Sequence, residues 1–210
     1  EQRIAALEGG SGAICTASGM SALFVTFMTL CSAGDHIVSA TQIYGSTGTL
    51  LKHTLKRFNV DCTFISINDE KALKEAIQDN TKLVFCESIG NPGLEVSDLP
   101  KISKIAHHHG IPLVLDATFA TPALCRPFDH GVDVIVHSVT KWIGGHGVAV
   151  GGAIVDGGAF DWGASKRYPS LTEPYEPFHG INFWEEFGPS ALAMRIRAES
   201  MRDFGPAMSP

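Results

Sequence analysis

Short β-branched blocks alternate along the chain with longer stretches whose apolar residues recur three or four apart. Residues 13–16 form a short apolar segment. After Ser18 and Ser21, the spacing of Phe24, Phe27 and Leu30 predicts a helix that stops near Gly34 and Asp35. Ile37 and Val38 mark the next strand. Residues 44–58 carry helical spacing at Leu51, Leu55 and Phe58, and residues 62–67 read as a strand. Asp69 is placed to cap a helix through Leu73 and Ile77. A strand over residues 83–86 then leads into a turn at Gly90, Asn91, Pro92 and Gly93. A helix over residues 98–109 follows, with Pro100 tolerated in its first turn and Gly110 as its stop. Residues 113–115 and 134–136 are further strands, and 152–155 another. Val134, Ile135 and Val136 have polar or turn residues on both sides, the pattern of a strand buried on both faces. This βαβα rhythm predicts an α/β fold with a mostly parallel sheet covered by helices on both faces.

Beyond Val155 the pattern changes. Residues 156–177 carry three glycines and three prolines among aromatics with little periodicity, so they read as a long irregular excursion over the surface. Residues 1–155 are accordingly expected to form one large domain, and 156–210 an irregular insertion and the start of a linker. A hydrophobic content of 44% in 210 residues is ample for a buried core. A net charge of -6 with no basic stripe argues against nucleic acid or an anionic membrane as partner. The apolar run over residues 20–30 is too short to span a bilayer, and no leader pattern opens the chain. The five cysteines are odd in number, widely spaced and set in apolar segments, as in a reduced cytoplasmic protein. No zinc spacing occurs, and His107, His108 and His109 read as a solvated helix end.

Candidate chemistry collects at the carboxyl ends of the strands, where open α/β sheets bind ligands. The 134–136 block stops in Ser138, Thr140 and Lys141 and is followed by a glycine-rich loop. A lysine there can be partly desolvated, which lowers its pKa and favours Schiff-base chemistry with a carbonyl. Ser138 and Thr140 place two hydroxyls beside it, suited to a phosphate. Ser18 and Gly19, with Met20 following, open a helix whose free N–H groups and dipole favour an anion. Asp116 ends an apolar run, where a carboxylate needs a cation or donors. Glu87 and Asn91 flank another strand end, and Tyr44 offers an aromatic face. Taken singly, each has an ordinary reading as a surface lysine, a helix cap or a turn. Together they supply a phosphate nest, an aldehyde-trapping amine and an isolated carboxylate, the three things pyridoxal 5'-phosphate needs. A plain nucleotide-binding domain is disfavoured because neither GxGxxG nor GxxxxGK[ST] occurs.

Ala17, Ser18, Gly19 and Met20, then Tyr44 and Gly45, then residues 87–92, Asp116 to Thr118 and Ser138 to Lys141 follow one another in an order that resembles the Cys/Met metabolism enzymes. The resemblance covers nearly the whole chain. It implies fold type I, the aspartate-aminotransferase-like large domain. It also implies Lys141 as the cofactor lysine and proton shuttle, Asp116 on the pyridine nitrogen and Tyr44 stacked on the ring. Gly19, Met20, Ser138 and Thr140 would hold the phosphate, with Asn91 near the phenolic oxygen; Ser18, Glu87 and Thr118 complete the expected cofactor contacts. Ser46 stands where the family usually has glycine.

Within that family, residues 167–188 resemble the insertion of O-acetylhomoserine sulfhydrylases, which implies γ-replacement on an amino-acid ester by sulfide or methanethiol. The alternatives are a methionine or cystathionine γ-lyase, or a non-catalytic cofactor-binding piece that works inside an assembly. The resemblance further implies a homo-oligomer, a dimer of dimers with shared active sites. The family's N-terminal Tyr-x-Arg and its C-terminal carboxylate-binding arginine have no counterpart here, so the chain is expected to be a piece of a longer protein.

Overall fold

Every strand expected from the pattern forms, and all join one seven-stranded sheet in a computed structural model that describes residues 1–164 and 166–209. The strands are β1 (Gly12–Thr16), β2 (His36–Ala40), β3 (Asp61–Ile65), β4 (Thr81–Glu87), β5 (Leu113–Asp116), β6 (Val134–His137) and β7 (Gly152–Asp156). Their order across the sheet is β1-β7-β6-β5-β4-β2-β3. From β3 to β6 neighbouring strands are parallel. β7 runs antiparallel to both β1 and β6, so it is the exception in the mostly parallel sheet. The central strands bury both faces, as their unbroken apolar runs require.

Helices cover the sheet. Before β6 they are α1 (Gln2–Glu8), α2 (Gly19–Leu30), α3 (Gly45–Thr49), α4 (Glu70–Ala76), α5 (Leu99–His108) and α6 (Thr121–Leu124). α2 is the central helix, with Ala22, Leu23, Val25 and Phe27 buried. Its start follows from Ser18, whose extended backbone and side chain cap the helix by accepting from Ser21 N. Asp69 caps α4 in the expected way, accepting from the backbone N–H groups of Lys71 and Ala72. α5 begins with Asp98 as cap and ends where Gly110 takes a left-handed φ of 68°.

Three segments differ from expectation. The helical stretch after Tyr44 changes winding twice: α3 is followed by a π-helical turn over Leu50–Thr54 and a 3-10 turn over Leu55–Phe58. The wider π turn lets Leu50, Leu51 and Leu55 all reach the core, while Phe58 stays 45% exposed and packs on Phe24. His107 is not merely a solvated helix end, since its Nε2 lies 2.8 Å from Oδ2 of the buried Asp133. That contact holds the His107 pKa above its usual value. Finally, the stretch after Asp156 is not a surface excursion throughout: Trp162, Tyr168, Leu171 and Phe183 are buried in the same core as the sheet. Trp162 and Tyr168 meet edge to face at 5.0 Å, and the Tyr168 hydroxyl donates to Lys82 O. The helices of this part are α7 (Pro169–Thr172), α8 (Phe183–Phe187), α9 (Ala191–Arg195) and α10 (Met201–Phe204).

Candidate cofactor site

Parallel register brings the carboxyl ends of β4, β5 and β6 level with one another. Glu87 pairs with Asp116, and Asp116 with Val136, so the chain leaves all three strands along one edge. The N-terminus of α2 arrives at the same edge. A Cβ built on Gly19 would lie 2.7 Å from Ser138 Cβ and 2.9 Å from Ser138 Cα, so only glycine permits this approach. The result is a cavity of about 470 Å³, within the roughly 300–1,000 Å³ usual for small-molecule sites. Its lining contains Ser18, Gly19, Met20, Tyr44, Glu87, Asn91, Asp116, Thr118, Ser138, Thr140 and Lys141. Every residue singled out from the sequence is therefore on one wall or another.

Local hydrogen bonds explain how each is held. Asp116 Oδ1 accepts from Thr118 N at 2.9 Å, and Thr118 Oγ1 accepts from Ser138 N at 2.8 Å. Thr118 thus ties the end of β5 to the turn after β6. In that turn Lys141 N donates to Ser138 O, and Gly145 N donates to Lys141 O. Thr140 Oγ1 donates to Gly151 O and accepts from Gly151 N. Its one hydroxyl proton is committed to the backbone, so Thr140 braces the lysine turn more directly than it presents a donor. Glu87 Oε1 accepts from Tyr44 N at 2.6 Å and so fixes the start of α3, which has no side-chain cap of its own.

The electrostatics are dominated by two carboxyl groups. Burial pushes Glu87 up to about 8, with Asp116 adding repulsion, against the lowering effect of the Tyr44 and Asn91 backbone N–H groups. Burial likewise raises Asp116, opposed by its bonds to Thr118. Lys141, by contrast, is exposed, so the desolvation expected for it is not supplied by this arrangement.

Six lining residues were not singled out from the sequence: Leu23, Thr47, Ile89, Phe119, Trp142 and Val150. Thr47 donates to Met20 Sδ, and Phe119 and Trp142 pack as a tilted pair at 6.4 Å. Trp142 directly follows Lys141, the one signal that pointed toward it.

The residues present fit pyridoxal phosphate. A buried carboxyl with few donors at Asp116 suits a protonated pyridine nitrogen, which would relieve its raised pKa. The capped start of α2 beside Ser138 suits a phosphate, and Lys141 lies on the same cavity. Fold and site together define the cofactor-binding large domain of a fold-type-I, pyridoxal-phosphate-dependent enzyme. The model of the Cys/Met metabolism PLP-dependent enzyme family matches residues 1–210, and the chain belongs to that family.

Its relatives agree. The chain is 49% identical to a homocysteine synthase of Schizosaccharomyces pombe, covering 100% of this chain and 49% of the relative. It is 47% identical to the sulfhydrylase FUB7 of Fusarium oxysporum f. sp. lycopersici, with the same coverage. Among solved structures, a putative O-acetylhomoserine (thiol)-lyase from Campylobacter jejuni, crystallised with a pyridoxyl-lysine phosphate, superposes with a TM-score of 0.96 at 39% identity. That match covers 100% of this chain and 52% of the other. The chain spans about half the length of the curated relatives it matches. Among the described residues no helix is long and apolar enough to cross a membrane.

Proposed function

We propose that the protein catalyses γ-replacement on O-acetyl-L-homoserine, in which sulfide or methanethiol takes the place of acetate to give homocysteine or methionine. The observation that carries this reading is the convergence of Ser18, Glu87, Asp116, Ser138 and Lys141 on one cavity in a chain whose relatives are named homocysteine synthases and sulfhydrylases. Bound pyridoxal phosphate supplies the electron sink that stabilises carbanions next to its ring.

The chain's own residues do the rest. Lys141 Nζ would hold the cofactor through its aldehyde carbon and, once free of it, would serve as the general base that moves the substrate's Cα proton. Asp116 would pair with the pyridine nitrogen. The start of α2 at Gly19 and Met20, with the Ser18 and Ser138 hydroxyls, would hold the phosphate, and Thr140 would join them by turning its proton away from Gly151 O. Tyr44, whose backbone Glu87 fixes, would cover the ring. Thr118 keeps Asp116 and Ser138 in one frame, and Asn91 would serve the phenolic oxygen. The active assembly is a homo-oligomer with shared sites, and the five free cysteines suit a reducing, cytoplasmic setting.

The test is an absorption spectrum with pyridoxal phosphate, then borohydride reduction and peptide mass mapping. A lysine-bound cofactor band with the reduced adduct on Lys141, absent in Lys141→Ala, is the expected result. An unmodified Lys141 sinks the assignment. Adding O-acetylhomoserine with and without a thiol then separates replacement from elimination: product that forms equally without thiol points to a lyase instead.

A further inference from the structure

Across the sheet from the cavity lies a pair of buried titratable side chains that the proposed reaction does not use. Glu8 ends α1 and His137 ends β6; neither side chain has any solvent exposure, and His137 Nε2 lies 2.5 Å from Glu8 Oε1. Among the described residues Glu8 Oε2 and His137 Nδ1 have no hydrogen-bond partner. Burying a carboxylate and an imidazole carries a desolvation cost that one bond offsets only in part, and apolar residues of the same volume often serve stability as well or better. Stability alone is thus a poor reason for this pair.

Its position supplies a better one. Asp116 and Val136 are register partners and share one face of the sheet, so His137, the next residue, points to the opposite face. There it meets Glu8. One residue further, Ser138 is back against α2, at van der Waals contact with Gly19. Ser138 N is held by Thr118, and Lys141 follows within the same turn. The end of β6 is therefore clamped on both faces, by Glu8 behind and by Gly19 and Thr118 in front. His137 also lies close enough to Asp116 for its charged form to favour the Asp116 carboxylate. We infer that Glu8 and His137 are positioning residues of the cofactor site, fixing from behind the sheet the strand end that delivers Ser138 and Lys141. The inference rests on the pyridoxal-phosphate reading of the cavity.

The test compares His137→Leu with His137→Gln and Glu8→Gln, both of which keep a hydrogen bond between the two positions. Affinity for pyridoxal phosphate is measured by absorbance titration at a temperature where each variant is fully folded by circular dichroism. His137→Leu is expected to bind about tenfold more weakly, and the two glutamine variants to stay within about threefold of wild type. Equal binding by all four proteins overturns the inference, as does a loss in His137→Leu that His137→Gln fails to restore. Should wild type itself not bind, the proposed function fails, and amide NMR of the apo chain decides the positioning claim. Ser138 and Lys141 signals that move in His137→Leu and return in His137→Gln support it; signals unmoved in His137→Leu overturn it.

Discussion

Glu87 and Asp116 show how a single buried acid can set the pH response of the fold. Folded Glu87 keeps its proton up to about pH 8, whereas the unfolded chain releases it near the ordinary value of 4.5. Between those values the native state holds a proton that the unfolded state lacks, so stability falls as pH rises, by up to about 1.4 kcal/mol per unit for this group. The thermal midpoint of the apo protein is therefore expected to drop from pH 5 to pH 8, and Glu87→Gln to flatten that decline. Asp156, which burial raises to about 7, leaves a smaller slope in the variant. An unchanged slope in Glu87→Gln would show that Glu87 ionises normally in the fold. At this scale the sequence was most informative, because lone polar residues that end apolar runs stand out by type and place: Asp116, Ser138 and Lys141 are all of this kind. Thr47 and Trp142 escaped because their contact with the cavity depends on how α3 winds and how the lysine turn folds, which no local pattern encodes. The His107 contact escaped for a similar reason, since Asp133 is brought to it from 26 residues away.

At the scale of elements, helix starts matter in two different ways. Gly19 opens α2 against backbone and Cβ of Ser138, neither of which can swing aside. Gly19→Ala is expected to cost about 1–3 kcal/mol by overpacking and to weaken cofactor binding as well. Asp69 opens α4 and does not line the cavity. Asp69→Ala is expected to cost about 1 kcal/mol from the lost cap and leave cofactor affinity unchanged. Urea denaturation with parallel cofactor titration separates the two, and a Gly19→Ala protein with wild-type stability and affinity would contradict the close-approach argument. Strands, caps and the turns at Gly90 and Gly110 were legible because each is written in a few adjacent residues. The winding change after Thr49 was not, since a π turn leaves the apolar spacing at Leu51 and Leu55 looking like an ordinary helix. The reversed direction of β7 was equally silent: Gly152 to Val155 has the composition of a buried strand whichever way it runs.

The whole molecule binds its two unlike halves into one core. Proline and glycine hid the regularity of residues 156–177, yet Trp162, Tyr168 and Leu171 pack where the sheet needs cover. Burial of that kind is a property of the assembled chain, and no local window reveals it. A chain ended at Asp156 would leave this surface bare and is expected to lose its cooperative thermal transition; a sharp transition in that truncation would show the later residues to be dispensable for folding. β7 has one more consequence, which concerns time rather than energy. Among the described residues β1 pairs with β7 alone, through a register that joins Gly12 to Asp156. During synthesis β1 must therefore wait without this neighbour until β7 has been made. Such distant pairings close late and slowly. On the ribosome β1 and the start of α2 thus leave the tunnel well before β7 arrives beside them, and in that interval a nascent chain has its greatest need of a chaperone.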